Sequence, residues 1–97
     1  MPQRAILFVD DEANILSALL RALRKEDVRI LTAASAQEAL AILEKEPVAV
    51  IVSDEKMPQM GGAELLGRVK ETHPEVVRIL LTGLRDVDTA QKAINTA

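Results

Sequence analysis

The sequence predicts an α/β fold in which a parallel sheet is covered by helices on both faces. Two observations carry this. Short, continuous apolar runs, Ala5-Ile6-Leu7-Phe8-Val9 and Val48-Ala49-Val50-Ile51-Val52, are the signature of strands buried on both sides. Segments with apolar residues at helical spacing alternate with them along the whole chain, and strict β-α alternation means parallel strands with right-handed crossovers.

The elements follow in order. The first strand, residues 5–9, ends in Asp10-Asp11. A helix is expected over Glu12 to Glu26, burying Ile15, Leu16, Leu19, Leu20 and Leu23. Its acidic start suits the positive end of the helix dipole, and Arg21, Arg24 and Lys25 suit its negative end. They read as a solvated helix end in preference to a phosphate-binding patch. Val28 to Ala33 reads as a half-exposed edge strand. Ser35-Ala36-Gln37-Glu38 is a capping box opening a helix that buries Ala36, Ala39, Leu40 and Leu43 and stops at Pro47.

The third strand, rich in β-branched residues and too short for a buried helix, ends in Ser53-Asp54. A loop with Pro58 and Gly61-Gly62 leads into a helix over Ala63 to Thr72, burying Leu65, Leu66 and Val69. His73, the single histidine, precedes Pro74 at the helix end and is expected to face solvent without a partner. Val76 to Leu81 is the fourth strand, followed by Thr82-Gly83 and a helix over Asp86 to Ala97.

Composition narrows the function. Ninety-seven residues, 48% of them hydrophobic, make one domain with a modest core. A net charge of −3 and a single aromatic, Phe8, argue against direct nucleic-acid binding, which needs cationic surface and stacking platforms. There is no cysteine, so neither disulfides nor thiolate chemistry. No apolar run is long enough to span a bilayer, and a cytoplasmic protein is expected. Phosphate-cradling glycine motifs are absent, which weighs against a nucleotide site.

The chemistry concentrates at the carboxyl ends of the strands, where open α/β sheets collect ligands. Asp10 and Asp11 end the first strand and Asp54 ends the third. Were these strands neighbours, about 4.8 Å apart, the carboxylates would converge. Their repulsion calls for a divalent cation, and hard oxygen donors with room for water suit Mg²⁺. Helix capping explains one such aspartate, but not a doubled Asp plus a third on another buried strand. Thr82, ending the fourth strand on the same side, offers a hydroxyl to a phosphoryl oxygen; alone, it reads equally well as a turn cap.

Taken together, Phe8-Val9-Asp10-Asp11-Glu12, Ser53-Asp54-Glu55-Lys56-Met57-Pro58-Gln59-Met60-Gly61-Gly62 and Leu81-Thr82-Gly83 resemble the receiver domain of two-component response regulators, over the whole chain. The resemblance implies a flavodoxin-like three-layer α/β/α fold with strand order 2-1-3-4. It implies that Asp54 accepts a phosphoryl group from the phosphohistidine of a sensor histidine kinase or phosphotransfer protein. Asp11, Asp54 and the Lys56 backbone carbonyl would then bind Mg²⁺ directly, Asp10 mainly through water, and Thr82 would be the switch hydroxyl. Such a domain is a phosphoacceptor, not a turnover enzyme, and it acts on an output domain of a longer chain.

The family continues into a fifth strand ending in a lysine, then a proline and a fifth helix. This sequence stops at Ala97, and Lys92 in the fourth helix does not stand in for that lysine. The expectation is therefore a receiver domain incomplete at its C-terminus, with weakened phosphorylation. An open edge on the fourth strand would favour a homodimer or swapped assembly. Two other readings compete. One is a pseudo-receiver, an interaction module not switched by phosphate. The other is a Mg²⁺-dependent phosphatase, disfavoured because such enzymes carry both acids in one D-x-D motif, which the first strand lacks.

Overall fold

The computed structural model describes residues 4–81. Within them the chain alternates β1 (Ala5–Val9), α1 (Ala13–Leu23), β2 (Arg29–Ala33), α2 (Ala36–Lys45), β3 (Val48–Asp54), α3 (Gly62–Thr72) and β4 (Val77–Leu81). The strands form one parallel sheet of order β2-β1-β3-β4. This is the expected flavodoxin-like order. It reverses direction after β2, so right-handed crossovers put α1 on one face and α2 and α3 on the other. The contacts agree: α2 packs on β1 and β2, α3 on β3 and β4, α2 and α3 touch, and α1 lies against β2.

The core sits between the sheet and the α2–α3 layer. Leu7 and Val9 of β1, Ile51 of β3, Ala36, Ala39 and Leu43 of α2, and Leu65 and Val69 of α3 close it. Leu7, Ile51, Leu65 and Val69 are fully buried. Burying side chains of this size stabilises by roughly 1.5–3 kcal/mol each. Alternate residues of β1, Ile6 and Phe8, face the other side and are only half-buried. β2 is an edge strand and half-exposed, as its sequence predicts.

Several expectations need correction. α1 is shorter than Glu12–Glu26 and buries Leu16 alone. Leu19 and Leu23 are half-buried, while Ile15 and Leu20 are 42% and 41% exposed. The reason is geometric: among the described residues one helix covers this face, and its apolar stripe is wider than its contact with the sheet. Leu40 and Leu66 flank the core instead of lying within it. His73 is half-buried, not solvent-facing, and it has partners. Its Nδ1 lies 2.9 Å from Thr72 Oγ1, and its Nε2 lies 4.0 Å from a Glu44 carboxylate oxygen. It belongs to the α3 C-terminus, where its backbone N–H donates to the Val69 carbonyl.

The Ser35 cap forms as expected, with its hydroxyl accepting from Glu38 N at 3.1 Å. Glu38 reaches back to Ala34 N, one residue before the cap, at 3.0 Å. Among the described residues no helix is long and apolar enough to cross a membrane. Thr82, Gly83, Lys92 and the helix expected over Asp86–Ala97 lie outside the described residues.

Candidate phosphoacceptor and metal site

The site is a matter of strand register. β1 and β3 pair Ala5 with Val48, then skip a residue and pair Ile6 with Val50, Leu7 with Ile51, Phe8 with Val52 and Val9 with Ser53. The irregularity falls at Ala49. Without it Val9 would face Val52, and Asp10 would come level with Ser53. With it, Asp10 follows in step with Asp54. Because side chains alternate faces along a strand, one residue of slip decides which side each carboxylate takes. On the other side of β1, Asp10 N–H donates to the Ala33 carbonyl of β2 at 3.1 Å, carrying the pairing one residue past the strand.

The result is the predicted convergence. One carboxylate oxygen from each of Asp10, Asp11 and Asp54 lies within 4.8 Å of the other two. Asp10 is buried, Asp54 half-buried and Asp11 exposed, so the cluster opens to solvent on one side. Asp10 Oδ1 accepts from Glu12 N–H at 2.9 Å, which ties it to the start of α1. Glu12 itself holds the N-cap position without a side-chain cap bond. Capping therefore accounts for neither Asp11 nor Asp54.

Burial pushes the Asp10 carboxyl above its ordinary pKa; the Glu12 amide opposes this, and the nearby charges of Asp54 and Asp11 add to it. Among the described residues no lysine or arginine pairs with any of the three. Three converging oxygen donors with no lysine or arginine paired to them among the described residues, open on one side, fit a hard divalent cation that keeps water ligands.

The loop after Asp54 is held closely. Glu55 N–H donates to the Leu81 carbonyl of β4 at 3.1 Å, and Gly62 N–H donates back across the loop to the Glu55 carbonyl at 3.0 Å. Lys56 lies inside this loop, exposed, two residues beyond Asp54. Gln59 takes a left-handed backbone, φ 68°, at the loop's far side. Asp54 is level with Leu81 in the β3–β4 register. Two residues here carry more than the sequence reading gave them, Ser53 and Gly62. The signal for Gly62 is its place in a Gly-Gly pair that closes the loop after Asp54. Ser53 is a hydroxyl between the apolar run of β3 and Asp54, and it is fully buried.

The response regulator receiver domain family matches residues 6–97. This chain belongs to that family. It is 43% identical over 95 residues to the hydrogenase transcriptional regulatory protein HoxA of Cupriavidus necator, which covers 98% of this chain and 20% of HoxA. The chain thus spans about a fifth of the length of that curated relative. Among solved structures, the signal receiver domain of an HD domain-containing protein from Pseudomonas fluorescens superposes with a TM-score of 0.83 at 36% identity, covering 97% of this chain and 75% of that one. The response regulator protein TrrA of Thermotoga maritima, solved in complex with Mg²⁺-BeF, gives a TM-score of 0.76 at 34% identity over 82% of this chain and 70% of that one. The chain is a receiver domain of the two-component response regulators.

Proposed function

We propose that this receiver domain accepts a phosphoryl group on Asp54 in a Mg²⁺-dependent reaction and passes the change on to an output domain. The observation that carries the proposal is the meeting of Asp10, Asp11 and Asp54 within 4.8 Å at the carboxyl ends of adjacent strands. The solved Mg²⁺-BeF complex of the similar TrrA supports it.

In the proposed step an Asp54 carboxylate oxygen attacks the phosphorus of a phosphohistidine. The new O–P bond forms as the P–N bond breaks, and the electron pair leaves with the imidazole. Such transfer depends on position and on neutralising oxygen charge more than on covalent help. Bound Mg²⁺ supplies that neutralisation. Asp11, Asp54 and the Lys56 backbone carbonyl would hold it, with Asp10 acting mainly through water. Asp10, fixed by the Glu12 amide, keeps one wall of the site in place. Thr82 is the proposed switch hydroxyl. The donor is a sensor histidine kinase or phosphotransfer protein, the reaction is stoichiometric instead of a turnover, and its compartment is the cytoplasm.

Intact-mass measurement after incubation with Mg²⁺ and a small phosphodonor tests this. The expected result is one added phosphoryl group, stable to acid and labile to base, lost when Mg²⁺ is removed by chelation and absent from Asp54→Asn. Incorporation into Asp54→Asn, or none into the wild type, would count against it.

A further inference from the structure

We propose that Gly62 and Ser53 are positioning residues for Asp54: together they grip its main-chain carbonyl and so fix the carboxylate in the phosphoacceptor site. The inference rests on Asp54 being the acceptor. The fully buried Ser53 hydroxyl donates to that carbonyl at 3.0 Å. Against the same carbonyl stands Gly62, the first residue of α3. A Cβ at position 62 would lie 2.3 Å from the Asp54 oxygen, 3.0 Å from its carbonyl carbon and 2.7 Å from Leu80 Cδ1 of β4.

Glycine is often kept for a left-handed backbone, but no described glycine has positive φ. A helical glycine costs about 1 kcal/mol relative to alanine. What position 62 demands is therefore space, and the obstacle that cannot swing away is the backbone of Asp54. The next peptide is held as well, since Glu55 bonds to Leu81 through its N–H and to Gly62 through its carbonyl. Asp54 thus enters the site from a backbone held at its own carbonyl by Ser53 and Gly62 and at the next peptide by Leu81 and Gly62. To reach ordinary contact, a methyl at position 62 must displace the Asp54 carbonyl or the start of α3 by about 1 Å. Misplacing a reacting group by that much can cost about 100-fold in rate.

The test measures phosphorylation rate at saturating phosphodonor, Mg²⁺ affinity and Tm for wild type, Gly62→Ala, Leu80→Ala, Gly62→Ala/Leu80→Ala and Ser53→Ala, well below every Tm. Gly62→Ala is expected to slow phosphorylation about 100-fold and to weaken Mg²⁺ binding about 10-fold. Leu80→Ala relieves the side-chain overlap only. The double variant should therefore regain part of the lost Tm while its rate stays low. Ser53→Ala should lower the rate several-fold, and it decides the matter if neither glycine variant folds. The proposal is overturned if Gly62→Ala or Ser53→Ala is phosphorylated at the wild-type rate, or if the double variant recovers rate together with Tm. A wild type that takes up no phosphoryl group overturns the reading of Asp54 as acceptor, and this proposal with it.

Discussion

Asp10 shows how much of the site is written in single residues. Its place at the end of an apolar run announces a carboxylate at a strand terminus, and the doubled Asp followed by Glu marks it further. What the residue string does not give is its burial, because that depends on β2 and β3 closing over it. Burial raises its pKa above the ordinary 3.8, with Asp54 and Asp11 adding to the effect. The folded state therefore holds the proton more tightly than the unfolded state. Its contribution to folding is fully present below 3.8, where the unfolded state is protonated too, and is lost as pH rises through the raised folded value. In metal-free protein Asp10→Asn, which keeps an acceptor for the Glu12 amide, is expected to raise Tm at pH 7 relative to wild type and to give a smaller gain as pH falls below 3.8. Saturating Mg²⁺ should reverse the order at pH 7, because the wild type then gains binding energy that the variant loses. Thermal melts across pH, with chelator and with Mg²⁺, check both signs.

Elements were read with uneven success, for physical reasons. Strands β1 and β3 are unambiguous because buried parallel strands are continuous apolar runs. The Ser35 cap was legible because its chemistry is local. Only the target of Glu38 differs, Ala34 N in place of the cap residue. α1 was read as too long and too buried, since periodicity reports an apolar face but not what covers it. The slip at Ala49 was invisible, as an alanine in an apolar run carries no mark of a register change, yet it is what brings Asp10 level with Asp54. Two helix variants test the element-scale account by urea unfolding. Ser35→Ala removes the Glu38 amide's acceptor and should cost about 1 kcal/mol. Gly67→Ala should stabilise by about 1 kcal/mol, because Gly67 lies within α3 with open space where a Cβ would go. A stabilised Ser35→Ala or a destabilised Gly67→Ala would contradict it.

At the scale of the whole molecule, strand order does the organising. Reversing direction after β2 makes β1 and β3 neighbours and opens a crevice at their carboxyl ends. The three aspartates, 44 positions apart at the extremes, Asp10 and Asp54, meet there for that reason. Val77, Ile79, Leu80 and Leu81 of β4, the edge strand among the described residues, stay exposed. The claim on which everything else depends is that this crevice makes Asp54 a phosphoacceptor. The most direct measurement is reductive trapping: phosphorylate with Mg²⁺ and a small phosphodonor, reduce the acyl phosphate with borohydride, and sequence the peptides by mass spectrometry. Homoserine is expected at position 54, dependent on Mg²⁺ and on phosphodonor. Homoserine at another acidic position, or none at all in protein that has gained phosphoryl mass, would contradict it.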